Sequence, residues 1–212
     1  MNIKNAVETL NKFKGVSLTE SLSFLEKEII GADAKSAFEC CSKKNINDEF
    51  IKSSLAVKEV AGEINVIIHA SGILHSLKSI LIKNEIVQSV SLGAGNTGKK
   101  FDLETNFQIA EFKFIDWRGG PEPTRQDGIF KDFYGLAEFK TTKTKNLYVV
   151  GTHYPLSFFK GGRSLKSVLA KQPAILENII NKYGSQISLV KDYFEIHKET
   201  VNIIDVSPHI GR

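Results

Sequence analysis

Asp102, Glu111 and Lys113 are the residues whose types and spacing could do chemistry together. Glu111 and Lys113 lie two apart in the run Ile109-Ala110-Glu111-Phe112-Lys113-Phe114, whose period of two reads as a strand. Residues two apart on a strand point to one face. This acid and this base therefore project together, while Phe112 and Phe114 face the other way. Asp102 opens the preceding strand-like run. If Glu104 to Phe107 form a four-residue hairpin turn, Asp102 falls opposite Ile109, and Glu111 is one diagonal step along the same face. Diagonal neighbours across a hairpin sit about 7–8 Å apart, close enough for two carboxylates to grip one ion. A register shifted by one would send Asp102 to the opposite face. Such a pair suits Mg2+ or Mn2+ better than zinc, because hard cations prefer carboxylate, carbonyl and water oxygens. The ion would lower the pKa of a bound water and stabilise charge on a phosphodiester, with Lys113 orienting or helping to deprotonate that water. The expected reaction class is phosphodiester hydrolysis.

The elements that must position these residues can be read along the chain. Helical patterns cover 2–13, 18–31 and 33–43, with Ser17, Thr19 or Ser21 near the second start. A long helical stretch runs from about 48 to 82 and is expected to break or bend near Gly62 and Gly72. Ile64, Ile67, Ile68, Leu74, Leu77 and Leu81 form its expected apolar face. A first strand spans 85–92, followed by the hairpin and the loop Asp116-Trp117-Arg118-Gly119-Gly120-Pro121-Glu122-Pro123. Thr124 resembles a helix N-cap for a helix to about Glu138 that buries Ile129, Phe130, Phe133, Leu136 and Ala137. A strand covers 145–151, and short helices follow near 164–170, 174–183 and 187–199. The order helix, strand, strand, strand, helix, strand implies a mixed α/β sandwich. Its core is expected over 51–155, with helical extensions over 1–50 and 156–212.

Asp102 followed by Glu111-Phe112-Lys113 resembles the D…(D/E)xK signature of the restriction-endonuclease-like PD-(D/E)XK nucleases. The resemblance covers roughly residues 55 to 151 and implies an αβββαβ core, with the Asp on the second strand and the ExK on the third. It implies metal ligation by Asp102, Glu111 and the carbonyl of Phe112, with Glu63 as the acid from the first core helix and Glu59 as the fallback. Phe101 stands where the family often has Pro. Arg125 and Gln126, which open the helix after the ExK strand, correspond to positions that hold substrate or the catalytic acid in some branches. The QxxxY pattern of one branch meets Phe130 here instead of Tyr. DNA ranks ahead of RNA as substrate because most relatives act on DNA, which is analogy. The setting expected for such an endonuclease is restriction, phage defence or a toxin system, and a homodimer or a partner subunit stays open.

Other features of the chain suggest different chemistry. The tripeptide Glu-Phe-Lys occurs twice, at 111–113 and 138–140, and Asp33-Ala34-Lys35 is a further match. The 138–140 copy closes a helix, where residues two apart diverge, so only the strand copy is a site candidate. Gly93 to Gly98 fits GxGxxG, and with Lys99 most of a P-loop. Lys100 replaces the Ser/Thr, and a strand follows where a helix is needed. A P-loop nucleotide-binding protein is thus a distant reading, and the segment is expected to be a turn bringing Lys99 and Lys100 beside the site. The five histidines lack ligand spacing, so neither a zinc site nor a Ser-His-Asp hydrolase is supported.

The 212 residues carry a net charge of only +4, but its distribution says more. From Lys140 to Leu176 there is no acid, while Lys140, Lys143, Lys145, Lys160, Arg163, Lys166 and Lys171 supply seven bases. That cluster suits a polyanion backbone. Arg118 could contact phosphate, and Trp117 could stack on a base. No apolar run approaches the roughly 18–20 residues that span a bilayer, and the amino terminus lacks a signal-peptide core. Adjacent Cys40 and Cys41 suit reduced residues of a cytoplasmic protein. The rival from another class is a non-catalytic nucleic-acid-binding or partner-binding module on the same fold.

Overall fold

A computed structural model describes residues 2–93, 98–114, 117 and 122–209. The chain divides into two compact units, Met1–Asn65 and Val66–Arg212. The first unit holds α1 (Ile3–Lys14), α2 (Leu18–Ile29), α3 (Ala34–Lys43) and the start of α4 (Asp48–Ile80). Short polar side chains cap the first three: Asn2, Ser17 and Asp33 each accept a backbone N–H of the first turn, satisfying donors that helix geometry leaves unpaired. Within this unit the Phe13 and Phe50 rings pack with centroids 4.8 Å apart.

The second unit is α/β. It contains the rest of α4, then β1 (Val87–Val90), β2 (Leu103–Thr105), β3 (Gln108–Lys113), α5 (Pro123–Glu138) and β4 (Thr144–Val149). After these come α6 (His153–Phe159), α7 (Leu165–Val168), α8 (Pro173–Tyr183), α9 (Val190–His197) and β5 (Val201–Asp205). The five strands form one mixed sheet in the order β1-β2-β3-β4-β5. β2 runs antiparallel to both of its neighbours, β1 and β3, whereas β3, β4 and β5 run parallel.

Alternation along the strands feeds two apolar layers. Ile109, Leu147, Val149 and Val201 pack with Ile129, Phe130, Phe133 and Leu136 of α5, and with Tyr193 and Phe194 of α9. Ala110, Phe112 and Tyr148 face the other side, where Ile73, Leu77 and Ile80 of α4 meet them. The sheet is thus covered by helices on both faces, as parallel strands require.

Several expectations need correction. The long helix does not break at Gly62 or Gly72; α4 is continuous from Asp48 to Ile80. At Gly72 a Cβ would lie 2.7 Å from the Phe114 ring, so the glycine admits that ring and does not mark a hinge. The face of α4 that packs is Ile73–Leu77–Ile80, while Ile64, Ile67, Ile68 and Leu74 are exposed. By length and composition alone α4 also passes as a bilayer-spanning helix, although charged residues such as Lys58, Glu59 and Glu63 interrupt its apolar ones. α5 begins at Pro123 with Glu122 preceding it, not with a Thr124 cap, because proline's missing N–H and fixed φ suit the first helical position. Finally, 156–212 is not a purely helical extension: Val201-Asn202-Ile203-Ile204-Asp205 forms β5, paired to β4 over its whole length. That segment joins the unit that holds the sheet, and the unit boundary falls inside α4 rather than near residue 50.

Candidate active site

The hairpin register decides whether the acids meet. β2 and β3 pair as Leu103↔Ala110 and Glu104↔Ile109. The next step of the same ladder sets Asp102 against Glu111, not Ile109. The register differs from the expected one by two residues. Because side chains alternate with period two, a shift of two keeps Asp102 on the intended side and brings it closer to Glu111. Asp102 sits just outside β2, yet its carbonyl accepts the Ser91 N–H at 2.8 Å, which extends the β1 edge and fixes its backbone.

Asp102 Oδ2 accepts the Phe112 N–H at 2.9 Å, and its Oδ1 lies 3.3 Å from His69 Nε2 on α4. The carbonyls of Phe107 and Lys113 accept N–H groups from Thr144 and Val150, so odd-numbered peptide groups of β3 face β4. Phe112 therefore turns both its N–H and its carbonyl toward Asp102. The Glu111 and Asp102 carboxyl groups lie close enough to perturb each other. Lys113 continues the Glu111 face and forms an ion pair with Asp132 of α5. The whole corner lies where β3 and β4 end at their carboxyl termini, the edge at which open α/β sheets bind ligands.

Its electrostatics are uneven. Burial, followed by the charges of Asp132 and Asp102, pushes the Glu111 carboxyl up to about 10 from an ordinary 4.5. Burial also pushes Asp102 up, but hydrogen bonds from His69, the Phe112 amide and Glu111 outweigh it and hold this carboxyl below its ordinary value. Lys113 is pushed down by burial and pulled up more strongly by Asp132, Glu111 and Asp102, so it stays a cation. Three acids against one lysine leave a surplus of negative charge, which Glu111 relieves by keeping its proton. A divalent cation would relieve it differently, by restoring the Glu111 charge. Among the described residues no three His, Cys, Asp or Glu side chains converge as a ready-made cage. The donor set that fits is two carboxylates and a carbonyl, Asp102, Glu111 and Phe112, the sparse kind that Mg2+ accepts alongside water and phosphate.

The other expected site residues fall as follows. Glu63 is exposed on α4 and belongs to the first unit; the α4 side chain beside Asp102 is His69. Lys99 is exposed and its ammonium donates to the Val90 carbonyl. Lys100 is exposed and lies 4.1 Å above the Phe139 ring, a cation–π contact. Arg125 pairs with Glu122 at 2.5 Å, and Gln126 is buried on α5. Lys143 is held by Glu104 at 2.8 Å and Gln88 at 2.7 Å, and Lys145 donates to the Ala137 carbonyl at 2.8 Å. These two lysines are thus committed within the fold. Arg118 lies outside the described residues. Trp117 is buried against Phe158, with ring centroids 5.9 Å apart, so it packs in the core and offers no stacking platform.

Sequence reasoning missed His69 and Asp132, and both carried a signal. His69 precedes Ile73, Leu77 and Ile80 at helical spacing, so it lies on the face of α4 that packs on the sheet. Asp132 falls three residues after Ile129 and four before Leu136, placing an acid on the buried stripe of α5. A charged residue on such a stripe needs a buried partner. No family model matches the chain, and neither a curated protein nor a solved structure matches it.

Proposed function

We propose that this protein is a divalent-cation-dependent nuclease of the PD-(D/E)XK kind, acting on DNA ahead of RNA. The observation that carries the reading is the ladder step that sets Asp102 against Glu111, with the Asp102 carboxylate on the Phe112 amide and Lys113 on the Glu111 face. The element sequence α4-β1-β2-β3-α5-β4 supports it, since it is the order such a core would have. Asp102, Glu111 and the Phe112 carbonyl would hold Mg2+ or Mn2+, which when bound supplies an acidic water and a counter-charge for phosphate. The Lys113 ammonium places a fixed positive charge beside the same corner, where negative charge builds on the phosphoryl oxygens during attack. Net reaction adds water across one P–O bond; one proton ends on the leaving sugar oxygen and one is released. Exposed Lys140, Lys160, Lys166 and Lys171 supply charge for backbone binding.

A second reading, a non-catalytic nucleic-acid- or partner-binding module, draws on the pairing of both Asp102 and Lys113 to protein side chains, His69 and Asp132. Incubation with plasmid DNA and with total RNA in Mg2+, Mn2+ or EDTA, beside Lys113→Ala, separates the two. Metal-dependent cleavage lost in the variant is the expected result. Binding without cleavage of either polymer in any metal would transfer the case to the module.

A further inference from the structure

Asp132 has no part in the nuclease reading, yet it is the carboxylate that Lys113 pairs with. Lys113 carries a long flexible stem and stands two residues from Glu111 on one strand face. Glu111 and Asp102 also attract its ammonium. Left to those two, the ammonium on its flexible stem would range between solvent and the very oxygens that a cation needs. It lies instead on Asp132, a residue of a different element. That carboxylate is fixed from behind: Ile129, Phe133 and Leu136, on the same stripe of α5, are at most 3% exposed in the main core. Its side chain keeps only 14% of its exposure, against 33% for Lys113. The pair is therefore anchored on the α5 side and reaches outward on the lysine side.

We propose that Asp132 is a positioning residue for Lys113: it holds the ammonium on the α5 side of the acid corner, leaving Asp102 and Glu111 to a cation. This rests on the nuclease reading for what the lysine is positioned to do. Asp132 touches neither substrate nor cation in this assignment and acts only through Lys113. A charge displaced by about 1 Å in such a site can cost on the order of 10²-fold in rate, which is the effect expected when the tether is cut.

The test uses the full chain with Asp132→Asn and Asp132→Glu. Without metal or nucleic acid, acylation of the Lys113 amine by acetic anhydride, followed by mass spectrometry, reports whether the ammonium is held. Asp132→Asn should react about tenfold faster than wild type, since one partner of a largely buried pair is gone, and Asp132→Glu should stay protected. With Mg2+ and plasmid, Asp132→Asn should lower kcat about 10²-fold with KM within about twofold, and Asp132→Glu should recover kcat to within about tenfold of wild type. Unchanged acylation in Asp132→Asn overturns the tether. Faster acylation with wild-type kcat, or Asp132→Glu as slow as Asp132→Asn, overturns the positioning role. If Asp132→Asn does not fold, Asp132→Glu decides alone: an unprotected Lys113 amine, or a kcat more than about tenfold below wild type, would sink the proposal. A wild-type protein that cuts nothing removes the nuclease reading and this assignment with it, and faster acylation in Asp132→Asn tells that failure from failure of the pair.

Discussion

The tripeptide Glu-Phe-Lys stands at two places in one unit, and the two copies have opposite chemistry. At 111–113 it ends a strand, so acid and base share a face and are packed among Asp102, Asp132 and His69. At 138–140 it straddles the end of α5: Glu138 is the last helical residue, Phe139 is extended, and Lys140 lies beyond the helix and is exposed. Glu138 Oε1 accepts the hydroxyls of Tyr183 at 2.7 Å and Tyr193 at 2.8 Å, and its Oε2 accepts Lys182 at 2.5 Å. Burial pushes the Glu138 carboxyl up, but these donors outweigh it and hold it below its ordinary value. Glu111 faces carboxylates and is pushed up to about 10. Identical residues thus make a satisfied structural acid in one place and a frustrated one in the other. A carboxyl perturbed in this way by burial and specific charges is a candidate for a functional site.

The sharpest way to break the comparison is to neutralise each acid in turn. Glu111→Gln should reduce cleavage about 10²–10³-fold, the scale of losing one group that stabilises transition-state charge. It should leave the thermal midpoint unchanged or raised, because the amide carries no charge to bury. Glu138→Gln should cut at the wild-type rate. Cleavage assays and thermal melts on both variants give the four values, and a Glu111→Gln variant that cuts normally would end the distinction.

Stability should invert the order. Glu138→Ala leaves the hydroxyl of Tyr193, a fully buried residue, without its acceptor and frees Tyr183 and Lys182 besides. With about 1–3 kcal/mol for each buried group left unpaired, the loss should be about 3 kcal/mol, read as a lower urea midpoint at unchanged slope. A loss under about 0.5 kcal/mol would place Glu138 among ordinary surface residues.

The two acids should also give stability slopes of opposite sign against pH. Glu111 has a folded value above its ordinary 4.5, so the folded state resists its ionisation. Stability falls as pH rises from about 5 toward 10, by at most about 1.4 kcal/mol per pH unit for one proton. Glu138 has a lowered folded value; its contribution is present above 4.5 and is lost as pH falls through that folded value. His197, buried near Glu138, is lowered chiefly by burial from 6.5, so its share is lost as pH falls below about 6.5. Urea unfolding from pH 4 to 9, differenced against Glu111→Gln and Glu138→Gln, separates the slopes. The alkaline slope should vanish in Glu111→Gln, and its persistence would assign it to another group.

Much of this contrast was legible in the sequence and some was not. The strand period around Glu111 and the helix around Glu138 told the two copies apart, because two-residue spacing means opposite things in the two elements. The helix-strand-strand-strand-helix-strand order was legible for the same reason. The register was not: hairpin pairing depends on turn geometry, and Thr105 Oγ1 accepts from both Phe107 and Gln108 N–H, tightening a turn that residue types alone leave open. Thr105 and Gln108 are further fixed by the Glu85 carboxylate, at 2.6 and 2.7 Å, a partner some twenty residues upstream. Asp132 and His69 became site residues only when helix faces were assigned to particular sides of the sheet. β5 was hidden by its place after a run of short helices, since β-branched residues there signal little until a parallel neighbour is known.

The two lysines complete the comparison with the smallest effect. Lys113 is tethered by Asp132, whereas Lys140 is exposed just past the end of α5, at the start of the acid-free stretch that runs to Leu176. Lys140→Ala should leave stability within about 0.5 kcal/mol, as surface changes usually do, and should leave kcat untouched. If the basic stretch is a backbone footprint, one lost phosphate contact should reduce the slope of log binding constant against log salt by about 1. Fluorescence anisotropy with a labelled duplex in EDTA, over a salt series, measures this without any turnover. A slope equal to wild type removes Lys140 from the footprint and moves the test to Lys160, Lys166 and Lys171. A reduced slope with unchanged kcat would divide the work between the two lysines, with Lys140 gripping the polymer and Lys113 acting where it is cut.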